Sequence, residues 1–278
     1  MLNRTVIDRV VGAALEEDAP WGDLTSESLI PETAVADADL TAREEGVFAG
    51  GEVFEAAFRL TDPEAVVRML VADGERFTEG QVLATVHGPA RSVLQAERVG
   101  LNFVQRMSGI ATLTARYVAE VAHTGARIAD TRKTTPGLRA LEKYAVRAGG
   151  GTNKRMGLHD VAMIKDNHKV AAGGIGAAYR RVREAFPEVP VQVEVDTLAE
   201  AVEAVEAGAK FLLLDNMTPA QLREVVAAVG DRAELEATGG LTLPVAAEYG
   251  ATGVDFLSVG ALTHSSPILD IALDLREE

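Results

Sequence analysis

The second half of the chain alternates between short apolar runs and stretches with helical periodicity. After the second run, each begins about 20 to 30 residues after the previous one. The six runs cover residues 126–131, 161–165, 191–196, 211–215, 233–238 and 254–260. This spacing is typical of βα units, in which parallel strands are joined by crossover helices. We therefore expect a parallel sheet built from serial βα units.

Capping signals mark the helices between these runs. Thr218 is followed by a proline and by Gln221, which predicts an N-cap, a proline in the first turn and a capping box. Gly230 is expected to end this helix. A second helix is expected over residues 198–207, where Gly208 provides the stop.

The first 110 residues show a different pattern. A helix is expected over residues 1–17, a half-buried strand over 35–43, and strands joined by glycine turns over 66–88. One long amphipathic helix is expected over residues 90–107 and another over 110–122. The N-terminal half is therefore predicted to be an α+β domain that precedes the βα units.

Two architectures suit the serial βα units, namely a β/α barrel and a doubly wound sheet. We favour the barrel because polar residues recur at strand ends along the whole series, whereas a doubly wound sheet concentrates its site at one switch point. The predicted domains are residues 1–108, with a boundary near Ser108-Gly109, then the barrel over 109–266, and a C-terminal segment over 267–278.

Positive charge is concentrated in one segment of an acidic protein. Residues 131–169 hold nine Lys and Arg against three Asp and Glu, a net +6, while the whole chain carries −15. Convergent Arg and Lys side chains are how proteins hold carboxylates and phosphates. The segment therefore indicates a pocket for a small polyanion. A solvated helix over residues 138–148, with Glu142 pairing with Arg139 and Lys143, is the alternative.

Composition excludes several classes of protein. The 278 residues are 47% hydrophobic and 25% charged, which is ordinary for a folded protein. The absence of cysteine excludes disulfides and thiolate chemistry and suits a cytoplasmic location. We expect no signal peptide and no membrane span. The net charge of −15 disfavours binding of nucleic acid.

Charged side chains fall where the predicted strands end. Arg132 and Lys133 follow the first strand, Lys165 ends the second, Glu194 lies within the third and Asp215 closes the fourth. The carboxyl ends of barrel strands form the active face, so we expect these residues at one mouth. The two acids could be core carboxylates satisfied by lysines, or they could hold a divalent cation or sugar hydroxyls.

Two glycine-rich turns follow the last two strands, at Thr238-Gly239-Gly240 and at Gly260, which precedes His264. Barrel phosphate sites commonly lie at these two places, where backbone N–H groups face the anion. We therefore expect a phosphate site there. The glycines at 149–151 follow a helix, so they are not a dinucleotide fingerprint. The other four histidines show no metal-ligand spacing and are expected to be structural or exposed.

Several long motifs resemble one enzyme family, the quinolinate phosphoribosyltransferases, which make nicotinate mononucleotide in NAD synthesis. The matching segments span nearly the whole chain and are EDAPWGDLTSESLIP, AERVGLNFVQRMSGIAT, DTRKTTPGLRALEKYAVRAGGGTNKRMGLHDVAMIKDNH, VEVDTLAEA, LLLDNM, EATGGL and SVGALTHSSP. The resemblance implies an N-terminal α/β sandwich domain and a C-terminal, incomplete α/β barrel. It also implies a homodimer in which each barrel mouth is covered by the neighbour's N-terminal domain.

The resemblance further implies a reaction between quinolinate and phosphoribosyl pyrophosphate with Mg²⁺, which releases pyrophosphate and CO₂. Residue roles carry over by position. The implied ligands of the quinolinate carboxylates are Arg98 from the partner subunit, Arg132, Lys154, Arg155 and Lys165. Lys133 is implied between substrate and pyrophosphate, while Glu194 and Asp215 are implied on the ribose and metal side, directly or through water. The implied 5′-phosphate site comprises Thr238, Gly239, Gly260 and His264.

One position departs from the family pattern. The family has histidine where this chain has Lys154, which keeps a donor and gains a permanent charge. We expect Lys154 to remain a carboxylate ligand. Three other interpretations stay open: a paralogue linked to molybdenum transport, the related nicotinate enzyme, and a non-catalytic nucleotide-binding protein that has kept the pocket. The density of cations favours a dicarboxylate over a monocarboxylate.

Overall fold

The computed structural model describes residues 2–276, and its chain divides into two compact units. The first comprises the N-terminal segment through Ala115, Thr134–Gly150 and the C-terminal segment from Thr263. The second comprises Arg116–Lys133 and Gly151–Leu262. Residues 134–150 therefore group with the N-terminal segment, although the sequence analysis assigned them to the barrel. No helix in the part of the chain that is described is long and apolar enough to cross a membrane.

The first unit is built on a four-stranded antiparallel sheet with the order β12-β1-β5-β3. These strands are β1 (Val35–Ala42), β3 (Val66–Met69), β5 (Val82–Pro89) and β12 (Ile271–Leu275). On β1 the buried positions alternate with half-buried or exposed ones, as its sequence pattern predicts. Strand β12 pairs with β1, so the C-terminal segment returns to the N-terminal sheet. Residues 277 and 278 of that predicted segment lie outside the described residues.

Helices and one small strand pair complete this unit. They are α1 (Arg4–Asp18), α2 (Leu24–Leu29), β2 (Gly46–Val47), α3 (Gly51–Thr61), β4 (Arg76–Phe77), α4 (Ala90–Val121, which continues into the second unit) and α5 (Arg139–Ala148). Strands β2 and β4 pair with each other. Helix α3 buries an aromatic pair in the core, with the rings of Phe54 and Phe58 4.9 Å apart. This unit is the predicted α/β sandwich.

Helix α4 is one helix of 32 residues, so the predicted division into two helices at Ser108-Gly109 is wrong. Ser108 is fully buried, and its hydroxyl accepts a hydrogen bond from the Ala49 N–H at 3.1 Å. A Cβ at Gly109 would overlap the carbonyl oxygen of Pro267. These small residues therefore allow close packing inside a continuous helix. A Ser-Gly pair looks the same in the sequence whether it ends a helix or packs against a neighbouring segment.

The interpretation of helix α5 as a solvated charged helix is wrong, because Glu142 and Lys143 are only 1% and 2% exposed. Glu142 accepts hydrogen bonds from Arg106 Nε at 3.0 Å and from the Thr135 N–H at 3.0 Å. The same guanidinium donates to the Thr263 carbonyl at 2.8 Å. A buried carboxylate needs such partners to offset its lost hydration. Arg106 thus joins three segments of this unit.

The second unit contains a six-stranded parallel sheet with the order β6-β11-β10-β9-β8-β7. The strands are β6 (Arg127–Ala129), β7 (Ala162–Ile164), β8 (Val191–Val195), β9 (Phe211–Asp215), β10 (Glu234–Thr238) and β11 (Phe256–Ser258). The first strand pairs with the last, as barrel closure requires. Among residues 2–276, no ladder joins β6 to β7, so the predicted incomplete barrel is confirmed.

Crossover helices follow the strands of this sheet. They are α6 (Asp166–Ala172), α7 (Ile175–Ala185), α8 (Leu198–Glu206), α9 (Pro219–Val229), α10 (Leu243–Gly250) and α11 (Ala261–His264). The predicted capping box of α9 is confirmed, with Thr218 as N-cap and Gln221 as the reciprocal partner. Gly208 follows α8 with a φ of 102°, which suits glycine as the predicted stop.

Replacement of Arg106 by methionine should lower the free energy of unfolding by about 3 kcal/mol, because it leaves the buried Glu142 carboxylate without its main partner. Urea denaturation monitored by circular dichroism measures this change. The control is Arg4→Met, which removes an exposed pair with Asp8 and should cost less than about 0.5 kcal/mol. Equal losses in the two variants would contradict the importance of the buried pair.

Candidate active site

A pocket of about 560 Å³ lies at the carboxyl ends of the parallel strands, within the second unit. Its wall shows the period-two pattern of strands. Gln192 and Glu194 from β8 line it, as do Leu213 and Asp215 from β9. The polar face of β8 therefore points into the barrel, and the valines of the same strand pack outward.

Most of the predicted site residues come together in this pocket. Nine of the twelve line it, namely Arg132, Lys133, Lys154, Arg155, Lys165, Glu194, Asp215, Thr238 and Gly239. The other three lie elsewhere. Arg98 is exposed on α4, and His264 is exposed at the end of α11. Gly260 follows β11 but is not part of the pocket wall.

Two guanidinium groups face the same space. Burial first, and then the positive charge of Arg132, lower the pKa of Arg155, although Asp160, Glu236 and Glu194 act in the opposite direction. Arg132 Nε is buried and has no hydrogen-bond partner among the described residues. Like charges close together and a buried donor without an acceptor are both unfavourable. An anion placed between the two side chains would relieve both costs, so the geometry indicates an anion site.

The two predicted acids come from the neighbouring strands β8 and β9 and line the same pocket. Glu194 is 8% exposed, and one of its oxygens lies 3.0 Å from the Lys165 ammonium. Asp215 closes β9 and accepts a hydrogen bond from the Asn216 side chain at 2.9 Å. Lys165 is half exposed, so its charge remains accessible from the pocket mouth. Glu194 and Lys165 therefore form an ion pair within the cavity, and Asp215 lies on the neighbouring strand.

A buried aspartate that the sequence analysis missed holds the loop with Lys154. Asp130, which is 1% exposed, follows β6 and accepts hydrogen bonds from the Asn153 side chain at 2.6 Å and from the Lys154 N–H at 2.9 Å. Thr152 forms an isolated parallel bridge with Ala129. The carboxylate therefore fixes the backbone beside two of the predicted cations. The position of Asp130 at the end of a strand is the sequence feature that could have identified it.

Three further polar residues were missed at the base of the pocket. Glu236 is 5% exposed, and it accepts hydrogen bonds from the Gln192 side chain at 2.8 Å and from the Ser258 hydroxyl. The period-two spacing of strands could have identified Glu236 and Ser258 in the sequence. Glu236 lies two residues before Thr238, and Ser258 lies two residues before Gly260, so each shares a strand face with a predicted site residue. These side chains connect three strands across the lumen.

The glycine turn after β10 lines the pocket and has positive φ values at Gly239 and Gly240. Gly239 has a φ of 94° and lies against Asn216, whose side chain a Cβ at this position would overlap. Asn216 itself has a φ of 54°, which is uncommon outside glycine. The two residues therefore fit each other, and both line the pocket.

His168 has a structural role, as predicted. Its Nδ1 accepts a hydrogen bond from the Lys165 N–H at 3.0 Å, which caps the start of helix α6. His264 Nδ1 lies 2.6 Å from the Ser265 hydroxyl, and its ring is exposed. Lys165 thus receives its orientation from a helix cap, while its ammonium extends to Glu194.

The described residues contain no group of three or more acids or histidines arranged to hold a metal ion by themselves. Mg²⁺ does not require such a cage, because it commonly binds through one or two carboxylates together with substrate phosphates. Glu194 and Asp215 both line the pocket and supply this smaller donor set. The residues present therefore fit a magnesium ion that arrives with a phosphorylated substrate.

A parallel α/β barrel whose pocket combines two guanidinium groups, carboxylates and a glycine turn defines an enzyme class that handles anionic, phosphorylated substrates. Comparison with known sequences specifies the class. Residues 23–108 match the profile described as quinolinate phosphoribosyl transferase, N-terminal domain, and residues 110–274 match the C-terminal domain of the same family. The chain belongs to the quinolinate phosphoribosyltransferase family.

Curated relatives align over nearly the full length. The nicotinate-nucleotide pyrophosphorylase [carboxylating] of Mycobacterium leprae is 48% identical over 270 residues, which cover 94% of each chain. A probable enzyme of the same name from Bacillus subtilis is 42% identical and covers 99% of this chain and 95% of its own. The solved nicotinate-nucleotide pyrophosphorylase of Francisella tularensis superposes with a TM-score of 0.96 at 33% identity, covering 99% and 98% of the two chains.

Proposed function

We propose that this protein transfers the phosphoribosyl group of phosphoribosyl pyrophosphate to quinolinate and decarboxylates the product. The products are nicotinate mononucleotide, pyrophosphate and CO₂, which places the reaction in NAD biosynthesis. The observation that carries the proposal is the pair Arg132 and Arg155, whose charges face one space and leave a buried donor unused. A dicarboxylate suits this pair better than a monocarboxylate because it offers each guanidinium its own acceptor.

Binding of quinolinate is assigned to cations of the pocket wall. Arg132, Arg155 and Lys165 come from three different segments and present charge to one cavity. Guanidinium groups bind carboxylates through two parallel hydrogen bonds, which fixes the plane of the pyridine ring as well as its position. The phosphoribosyl donor then lies toward Lys133 and the turn at Thr238-Gly239, where backbone groups suit a 5′-phosphate.

Transfer breaks the bond between ribose C1 and the pyrophosphate oxygen, and it forms a bond from C1 to the pyridine nitrogen. Positive charge builds on the ribose as pyrophosphate leaves. Glu194 and Asp215 lie on the cavity wall where carboxylates can stabilise that charge. Lys133 is positioned to neutralise the leaving pyrophosphate. No covalent protein nucleophile is needed for this step.

Decarboxylation follows on the quaternised ring. The bond from ring carbon C2 to its carboxylate breaks, CO₂ leaves, and the electron pair stays on C2 until a proton is taken up. The positive ring nitrogen beside C2 accommodates this charge, and a neighbouring Arg or Lys adds to the stabilisation. The cations that bind the substrate therefore also favour the second chemical step.

Mg²⁺ is the proposed cofactor. Glu194 and Asp215 would hold it together with oxygens of the phosphoribosyl donor, and the ion would neutralise charge on the pyrophosphate. The Lys165 ammonium already neutralises one side of Glu194, so this carboxylate has a limited share in metal binding. Asp215, which is half-buried at the mouth, is the more accessible of the two donors.

The turnover experiment supplies quinolinate, phosphoribosyl pyrophosphate and Mg²⁺ and measures CO₂ and nicotinate mononucleotide. Equal amounts of the two products are expected, since one carboxylate is lost in each transfer. Nicotinate replaces quinolinate in the control, and turnover is expected to be at least about a hundredfold lower because one charged contact is missing. Turnover with nicotinate but not with quinolinate would contradict the proposal.

We also propose that the enzyme is a homodimer in which Arg98 of the partner subunit completes each pocket. Arg98 is exposed on α4 and is not part of the pocket wall of its own chain. Such an arrangement explains why a cation implied in substrate binding lies outside that wall. Symmetric exchange of one side chain is typical of isologous dimers.

Complementation between inactive variants tests the shared site. Arg98→Gln and Lys133→Met are each expected to be inactive as homodimers. After subunit exchange, about a quarter of all sites carry both native residues, so about a quarter of the native activity should return. Native mass spectrometry with one variant labelled with ¹⁵N establishes that exchange has occurred. Full exchange without recovery of activity would show that Arg98 does not act across the dimer.

A further inference from the structure

Lys154 lines the pocket, but its ammonium is directed toward acids of the barrel. Lys154 Nζ lies 2.7 Å from Glu234 and 3.7 Å from Glu236. It also lies 3.6 Å from the ring centroid of Phe256, close enough for a cation–π interaction. The side chain is only about a quarter exposed. Two carboxylates and one aromatic face therefore surround this charge.

Strand register places these contacts low in the barrel. Glu234 is the first residue of β10, and Phe256 is the first residue of β11. Glu236 pairs in register with Phe256 on one side and with Leu213 on the other. The active face of a barrel is at the carboxyl ends of its strands. The Lys154 side chain thus reaches from the loop beside Asp130 toward the amino ends of β10 and β11.

Both ends of Lys154 are held in place. Its backbone N–H donates to the buried Asp130 carboxylate at 2.9 Å, and its ammonium donates to Glu234 at 2.7 Å. Rotation of the ammonium toward the pocket mouth would break the pair with Glu234 and move the positive charge away from Glu236. Glu236 is 5% exposed, so a lost charge partner there is costly.

Glu236 connects Lys154 to the wall of the pocket. The carboxylate accepts hydrogen bonds from Gln192 at 2.8 Å and from Ser258, and both of these residues line the cavity. Gln192 lies two residues before Glu194 on the same strand face. A shift of Glu236 would therefore move side chains on β8 and β11 together, close to the carboxylate proposed to act on the ribose.

The charge balance argues against a role for Lys154 as a ligand of the substrate carboxylates. Its ammonium already pairs with Glu234 at 2.7 Å, whereas the buried Arg132 Nε has no hydrogen-bond partner among the described residues. A dianion gains most where positive charge is uncompensated. The arginines therefore form the anion site, and Lys154 belongs to the layer beneath it.

We propose that Lys154 is a positioning residue that fixes Glu236, and through it Gln192 and Ser258, beneath the substrate. This inference rests on the proposed function for its kinetic test but has a separate structural test. It assigns a role to Glu234 and Glu236, and it replaces the expectation that Lys154 binds a carboxylate of quinolinate. Lys154 then influences the rate of transfer more than the affinity for quinolinate.

The kinetic experiment uses three full-length variants with quinolinate as substrate. Lys154→Met keeps the stem over Phe256 but removes the charge, and kcat is expected to fall roughly tenfold while the KM for quinolinate changes less than about threefold. Lys154→Arg keeps a donor for Glu234 and should retain most of kcat. Lys210→Met, a change at an exposed lysine outside the pocket, is the matched control.

Two results would overturn the inference. A tenfold or larger rise in the KM for quinolinate with unchanged kcat in Lys154→Met would make this residue a direct ligand. Native values of both constants would remove it from the mechanism altogether. If the native protein does not turn over quinolinate, the proposed function fails, and that result is distinct from either of these.

The structural test needs no activity. Urea unfolding is compared for Lys154→Met, Glu234→Gln and the double variant. Because the two residues act as a pair, the midpoint of the double variant should lie close to that of the less stable single variant. Additive shifts would show that Lys154 and Glu234 are not coupled, and this would contradict the arrangement on which the positioning role depends.

Discussion

The placement of two guanidinium groups, those of Arg132 and Arg155, at one pocket is the constraint on which the site depends. Burial and the neighbouring guanidinium both lower the pKa of Arg155, and Arg132 Nε is left without a hydrogen-bond partner among the described residues. The fold holds this unfavourable arrangement in advance, so an anion that enters does not have to reorganise the pocket. Such preorganisation is the main way in which enzymes stabilise charge in a transition state.

The parallel sheet makes this arrangement possible. Each strand ends at the same face, so a charged residue at each strand end reaches one cavity without distortion of the core. The apolar side chains of β9 and β10 remain buried on the other face of each strand. Beneath the anion site, Glu236 joins β8, β10 and β11 through hydrogen bonds. The pocket therefore rests on a polar layer inside the barrel.

Local signals in the sequence were sufficient for the strands, the capped helix at Thr218 and seven of the pocket residues, because period-two alternation and strand-end position are local properties. Lys154 and Arg155 were assigned to the pocket through the family resemblance. Packing contacts between residues far apart in the chain could not be predicted from the sequence. The close approach of Gly109 to Pro267 was mistaken for a helix end, and the burial of Glu142 against Arg106 was not foreseen. The pairing of Lys154 with Glu234 spans 80 positions and has no local signature.

Calorimetric titration of quinolinate into the native protein and into Arg132→Gln tests the central claim most directly. We expect one dicarboxylate per chain, with affinity that falls as salt concentration rises, and at least about tenfold weaker binding in the variant. Arg223→Gln, on an exposed position of α9, should bind like the native protein. Equal affinity in Arg132→Gln and the native protein would contradict the account of the paired arginines.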